Sequence, residues 1–180
     1  LWPGYEPLYL AKEHSFFDGQ DVELIELPSS TGVIRAMKNG SLQAATLTLD
    51  EAISLLVSGV DIVIVTALDV SQGADMVIAQ EPLTSLNDVR GKRIGVDTGA
   101  VGAVMLVGFL EFAGVSASEV EIVPLSIQNH FTAFHEISVD IVVTYEPVAG
   151  ELLRAGGHRV FDSSRIPNQI IDVLVVRRDA

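Results

Sequence analysis

Short runs of aliphatic and β-branched residues recur along the whole 180-residue chain, separated by segments with helical spacing. The runs fall at residues 22–27, 44–49, 61–67, 75–79, 93–96, 121–125, 140–144, 159–161 and 172–176. Helices are expected between them, at 6–14, 31–38, 51–57, 100–112, 130–136 and 148–154. In the second of these, Ser30 reads as the N-cap, Val33, Ile34 and Met37 share a face, and Gly40 stands just past the end. Strand and helix in alternation define an α/β chain with largely parallel sheets. Continuous runs such as Ile62-Val63-Ile64-Val65 and Ile141-Val142-Val143 are expected to be strands covered on both faces.

A hydrophobic share of 48% against 19% charged residues excludes a disordered chain. Acids number 24 against 11 Lys plus Arg, a net charge of -13, which repels nucleic-acid phosphates and anionic lipid. No nucleic-acid partner is expected. The chain has no cysteine, which excludes disulfides, thiol nucleophiles, Cys-ligated zinc and iron–sulfur clusters. The most apolar stretch, residues 98–110, is shorter than the roughly 20 residues a spanning helix needs. The N-terminus lacks the basic-then-apolar order of a signal peptide, so either the protein is cytoplasmic or the chain is a mature or trimmed one, and an opening on Leu1-Trp2-Pro3 favours trimming.

Enzyme motifs are mostly absent. His130 and His135 are spaced too far apart to share a helix face, and His135-Glu136 lacks the second His of a zinc protease. Ser29-Ser30 and Ser163-Ser164 have no Gly-x-Ser-x-Gly elbow and read as caps and turns. No catalytic residue, metal or cofactor is expected. The segment from Gly95 to Gly102 is a Gly-rich strand–turn–helix without the Lys-Ser/Thr of a phosphate loop. Its helix start still offers backbone N–H groups to an anion or dipole.

Two segments share one grammar. Thr48-Leu49-Asp50 and Thr144-Tyr145-Glu146 each follow a buried strand and open a helix, which suggests two similar α/β lobes. The polar, Gly-bearing connection 68–74 reads as a hinge, with 172–176 as its returning strand. Trp2, Tyr5 and Glu6 precede the first helix, while Asp50, Asp69 and Glu146 follow strands, where open α/β sheets bind ligands. Carboxylates at helix starts also complement the helix dipole, so Asp50, Glu51 and Glu146 have a plain structural reading as well.

The order Trp2-Pro3-Gly4-Tyr5-Glu6-Pro7-Leu8-Tyr9-Leu10-Ala11-Lys12-Glu13, then Phe16-Phe17 and Asp21-Val22-Glu23-Leu24, resembles the opening of ABC-importer solute-binding proteins. The branch is the NMT1/THI5-like (SsuA/TauA-like) family. The resemblance continues through Pro28-Ser29-Ser30-Thr31, the stretch from Leu86 to Val96, Val139-Asp140 and Thr144-Tyr145-Glu146-Pro147. It implies a type II periplasmic-binding-protein fold: two α/β lobes joined by a two-strand hinge that closes on a ligand. Carried over, lobe one is 1–70, lobe two is 71–171, and 172–180 returns toward lobe one. The family's first strand and C-terminal helices have no counterpart here, so lobe one is incomplete. Ile137-Ser138 stands where relatives commonly have a Gly-containing turn.

The resemblance implies ligand contacts at Trp2, Tyr5, Ser30, Thr31, Thr48, Asp50, Asp69, Ser71, Thr98, Gly99, Ala100, Val101, Gly102, Tyr145 and Glu146. It implies a monomer that captures a small molecule outside the cytoplasm, periplasmic or as a membrane-anchored lipoprotein, for an ABC permease. Receptor sensor domains and menaquinone-pathway enzymes share the fold and stand as alternatives; the related pyrimidine synthases carry a Cys-rich motif that this chain lacks. The loops in question hold Glu6, Asp50, Asp69 and Glu146, and the nearest cations, Lys12, Arg35, Arg90 and Arg154, are expected to face elsewhere. Such a setting favours a pyrimidine or amine that donates hydrogen bonds over a sulfonate, taurine or nitrate.

Overall fold

A computed structural model describes residues 2–99 and 101–179. The chain divides into two compact units, Leu1–Asp69 with Asp172–Ala180, and Val70–Ile171. The chain passes between them twice, inside β2 (Ile62–Val70) and inside β8 (Ile171–Arg177).

The first unit carries α1 (Glu6–Glu13), α2 (Ser30–Lys38), β1 (Ala44–Thr48) and α3 (Leu49–Val57). Its sheet has the order β1-β8-β2, with β1 antiparallel to β8 and Thr48 opposite Asp172. Side chains alternate across a strand, so the two faces of this pair differ. Ala45, Leu47, Val173 and Val175 are buried on one face, and Met37, Ala52 and Leu55 complete the buried apolar set from the helices. Thr46, Thr48 and Asp172 lie on the other.

Three expectations change here. Residues 22–27 form no strand; Val22, Ile25 and Leu27 are exposed, and no strand among the described residues pairs with them. A strand needs a ladder partner, whatever its β propensity. Ile64 and Val65 are exposed rather than covered; as successive residues they point to opposite faces of β2, so neither face is packed over at that point of the strand. Ser29, not Ser30, caps α2: its Oγ accepts from the Gly32 N–H at 3.2 Å, and Ser30 is the first helical residue.

The second unit holds β3 (Asp75–Ala79), β4 (Arg93–Val96), α4 (Gly102–Ala113), β5 (Glu121–Pro124), α5 (His130–His135), β6 (Ile141–Tyr145), α6 (Val148–Arg154) and β7 (His158–Asp162). Its five-stranded sheet runs β5-β4-β6-β3-β7. β4 is parallel to β5 and β6, whereas β3 is antiparallel to β6 and β7, so the sheet is mixed rather than largely parallel. β3 enters from the crossing strand and not from a helical crossover, which lets it run against its neighbours. Val77, Ala79, Ile141 and Val143 pack under α4 with Met105, Phe109 and Leu110. Met76, Ile78 and Val142 face the opposite way, onto Phe134 of α5 and Leu152 of α6. Residues 76–79 of β3 and 141–143 of β6 are therefore continuous apolar runs, as two-sided burial demands.

The turn after α5 departs from the usual chemistry. The Ser138 N–H donates to Ala133 O at 3.0 Å and the Ile137 N–H to Phe134 O at 3.1 Å, a Schellman closure. It places Ile137 at φ 57, the left-handed region, with its side chain 63% exposed. A β-branched residue there costs about 1–2 kcal/mol, which glycine avoids. Ile137→Gly should raise stability by about 0.5–1 kcal/mol once the added freedom of the unfolded chain is subtracted. Denaturant unfolding of the two proteins side by side measures it; a lower midpoint for the glycine variant contradicts the strain.

Candidate functional site

On the first unit, the turn ahead of α1 is pinned to the strand ends. Trp2 Nε1 donates to Asp69 Oδ2 at 3.0 Å. Gly4 makes that approach available, since a Cβ there would sit 1.6 Å from the same oxygen. Tyr5 donates its hydroxyl proton to Asp172 Oδ1 at 2.5 Å. Burial, and then the Asp172 charge beside it, hold the phenol far above its ordinary value, so it stays protonated as a donor.

Beside this pair lies the start of α3. The Thr48 N–H donates to Glu51 Oε2 at 3.0 Å, the acid-to-backbone half of a capping box. Glu51 is 2% exposed. Burial pushes its carboxyl up to about 7; the Thr48 N–H opposes the shift, the Asp50 charge adds to it, and the Thr48 and Ser30 hydroxyls oppose it. Those hydroxyls stand close enough to act on Glu51, yet Oε1 forms no hydrogen bond of ordinary geometry. Thr48 Oγ1, Asp50 Oδ1 and Asp69 Oδ1 are likewise buried with no hydrogen-bond partner. Unpaired buried oxygens cost about 1–3 kcal/mol each and are uncommon in folded proteins. Here they gather on residues of one strand end and one helix start, together with Asp69 near the end of β2.

Of the residues implied from the sequence, this unit joins Trp2 to Asp69 and brings Ser30 and Thr48 to Glu51. Asp50 sits in the first turn of α3, and Thr31 is exposed in the first turn of α2. Two residues outside that set, Glu51 and Asp172, hold it together. The Thr48-x-x-Glu51 spacing is a capping-box signature and points to Glu51. Asp172 is a lone acid in an otherwise apolar strand opening.

On the second unit the polar groups are largely satisfied. Ser71, 4% exposed, donates to Asp75 Oδ2 at 2.5 Å and lies 2.9 Å from Ser163 Oγ, which also accepts the Gly73 N–H at 2.7 Å. The Ser71 N–H donates to Ile170 O at 3.0 Å, tying the two crossing segments together. Asp97 Oδ1 accepts the Gly99 N–H at 3.1 Å, and Thr98 and Gly99 are exposed. Val101 is buried, and a Cβ on Gly102 would meet Asp97 O at 2.6 Å, so that glycine serves close packing of α4 on β4. Ala100 lies outside the described residues.

Tyr145 ends β6, half-buried against the core under α4. Glu146 Oε2 accepts the Gly150 N–H at 3.0 Å, the capping role its position allows. Arg154 does not face away: its Nη1 lies 3.3 Å from where a Gly150 Cβ would stand, on the side where Glu146 Oε2 lies at 2.9 Å. His130 is buried, with Nδ1 3.1 Å from Thr144 Oγ1 and Nε2 3.1 Å from Leu125 O. The carbonyl requires Nε2 to donate, so Nδ1 accepts from Thr144, and burial lowers the imidazole below its ordinary value. Among the described residues no cluster of three or more His, Asp or Glu could hold a metal, and no helix is long and apolar enough to cross a membrane.

Solved structures share this architecture. The alkanesulfonate-binding protein SsuA from Xanthomonas axonopodis pv. citri, bound to MOPS, superposes with TM-score 0.83 at 21% identity, over 96% of this chain and 62% of its own. The aliphatic sulphonate-binding SsuA from Escherichia coli gives 0.81 at 20%, over 96% and 58%. A Prochlorococcus marinus protein in complex with methylphosphonate gives 0.72 at 13%, over 98% and 72%. The fold is that of the periplasmic binding proteins. The NMT1/THI5-like family model matches residues 2–165, and the chain belongs to that family. In sequence it is similar to an Escherichia coli (strain K12) protein named for binding aliphatic sulfonates, 22% identical over 168 residues. A binding protein of Brucella abortus (strain 2308) is 32% identical over 79 residues. The chain spans 90% of itself but 53% of the first relative's length, and 44% and 25% in the second comparison.

The Glu51 carboxyl carries a pH dependence. Its folded value lies above its ordinary 4.5, so its contribution to stability is complete below pH 4.5 and is lost as pH rises through about 7. Glu51→Gln keeps the Thr48 acceptor and stays neutral. Its stability relative to wild type should rise by up to roughly 3 kcal/mol between pH 4.5 and 8. Urea unfolding across that range checks it; a constant difference would show that the carboxyl is not shifted.

Proposed function

We propose that the chain is the ligand-binding part of an extracytoplasmic solute-binding protein that delivers a small molecule to an ABC importer. It works as a monomer, periplasmic or lipid-anchored, and is not an enzyme. Family membership and the relatives' names support the class. The ligand contacts assigned to it are Trp2, Tyr5, Ser30, Thr31, Thr48, Asp50 and Asp69 on the first unit, and Ser71, residues 98–102, Tyr145 and Glu146 on the second.

The favoured solute is nitrogenous, an aminopyrimidine or amine with N–H donors. One observation carries this: the unpaired buried oxygens of Asp50, Glu51 and Asp69 are acceptors in want of donors. The groups acting on Glu51 and Tyr5 include no Lys or Arg. A sulfonate brings only acceptors of its own to such a surface. The second reading is an anionic sulfonate or phosphonate, which rests on what the relatives are named for or bound to.

Competitive calorimetry with 4-amino-2-methylpyrimidine and ethanesulfonate separates the two. The pyrimidine should bind and, at 100 times its Kd, add about 2.7 kcal/mol of stability in a thermal-shift assay. Tight sulfonate binding with no pyrimidine heat would reverse the preference.

A further inference from the structure

Glu51 is the buried ionisable group of the first unit that the fold least explains. Capping α3 needs one carboxylate oxygen, and Oε2 supplies it to the Thr48 N–H. Oε1 is buried and unpaired, on a side chain that is 2% exposed. Thr48 Oγ1, on a residue 7% exposed, and Asp50 Oδ1 are unpaired beside it in sequence. A cap alone is as well served by an exposed acid, as Glu119 shows on this same chain: it accepts the Ser116 N–H at 2.9 Å while pairing with Arg90 at the surface. The Ser30 and Thr48 hydroxyls act on this carboxyl without giving Oε1 a hydrogen bond of ordinary geometry, and burying it so costs free energy that an exposed cap avoids.

We propose that Glu51 is a ligand contact, its Oε1 accepting a hydrogen of the solute, so that solute binding is coupled to the loss of the Glu51 proton. This rests on the reading of this face as the solute site. The balance is simple: the protonated carboxyl gives its proton to solvent, and the carboxylate accepts the solute's N–H. No covalent bond changes. An anionic solute would draw the coupling the other way, since a sulfonate oxygen needs the carboxyl's O–H as donor and would take a proton up.

The charged and titratable groups around Glu51 leave this coupling to one carboxyl. On its own helix Asp50 adds negative charge. β1 carries no ionisable residue. On α2, Arg35 and Lys38 stand in the last turn, at the end away from Ser30. From the turn before α1 comes Tyr5, held as a donor to Asp172 of β8. Burial centres the Glu51 titration at about 7, so proton exchange there is measurable at neutral pH.

The test is calorimetry at pH 7 in two buffers of different ionisation heat, with 4-amino-2-methylpyrimidine and with ethanesulfonate, on the protein and on Glu51→Gln. The wild type should release about half a proton more per pyrimidine bound than the variant. The variant should bind the pyrimidine at least tenfold more weakly. Proton uptake with ethanesulfonate, abolished in Glu51→Gln, would keep Glu51 as a contact while sinking the nitrogenous solute. Equal proton exchange in wild type and variant, for whichever probe binds, overturns the role of Glu51. Heat from neither probe overturns the assignment of this face and the inference with it. Carboxyl carbon NMR of the wild type gives a reading free of any folding defect in the variant. The Glu51 resonance should titrate near neutrality without probe and stop titrating when the probe saturates; an unchanged titration rejects the contact.

Discussion

The antiparallel pairing of β1 with β8 is the constraint on which the first unit depends. β8 is the middle strand of the order β1-β8-β2, so among the described residues neither neighbour has another ladder partner. Strands left without a partner do not persist, since even an isolated two-stranded pair is marginal in water. The pairing sets Thr48 opposite Asp172, residues far apart in sequence, and so fixes both faces at once. Shifting the register by one residue would turn Val173 and Val175 out of the core and Asp172 into it. The same register gives Tyr5 its acceptor and brings the phenol near the start of α3.

The two units treat buried polar groups differently, and the difference is informative. In the second, His130 has a donor and an acceptor, Ser71 bonds both Asp75 and Ser163, and Asp140 pairs with Arg93 through two hydrogen bonds to its guanidinium and one to its backbone. These are closed networks, which rigidify a fold. In the first, four buried oxygens stay open within a network that is otherwise well made. Sequence and fold have the means to satisfy such groups, and the open ones are the observation on which the proposed solute site rests.

Much of this was legible in the order of residues. The strands 75–79 and 93–96 and the helix Val148–Arg154 carry their own bounds, because apolar runs there are flanked by polar or glycine breaks and both faces are buried. The misreadings share a cause. Residues 22–27 and Ile64-Val65 have strand composition, but burial and pairing depend on neighbours that local pattern does not specify. Strand direction was hidden for the same reason: helix–strand alternation suits a parallel sheet, whereas β3 arrives from the crossing strand. Ser29 and Ser30 are equal as caps by type, and the choice between them is made by where the backbone turns. At the site, Trp2, Tyr5 and Asp69 were legible as loop aromatics and acids. Their bonding to one another and to Asp172 was not, since it is made by tertiary register.

The choice of Ser29 as cap has a consequence for chemistry. With the Ser29 hydroxyl committed to the Gly32 N–H, Ser30 keeps its own hydroxyl for the start of α3, where it acts on Glu51. Tyr5 on this face cannot change its charge near neutral pH, because burial and Asp172 hold its proton in place. Glu51 can. Burial raises the Glu51 carboxyl to about 7, so its charge responds to pH near neutrality. A solute that donates hydrogen bonds stabilises the ionised form and one that only accepts stabilises the neutral form, so the sign of the proton exchange reads out the chemistry the site selects.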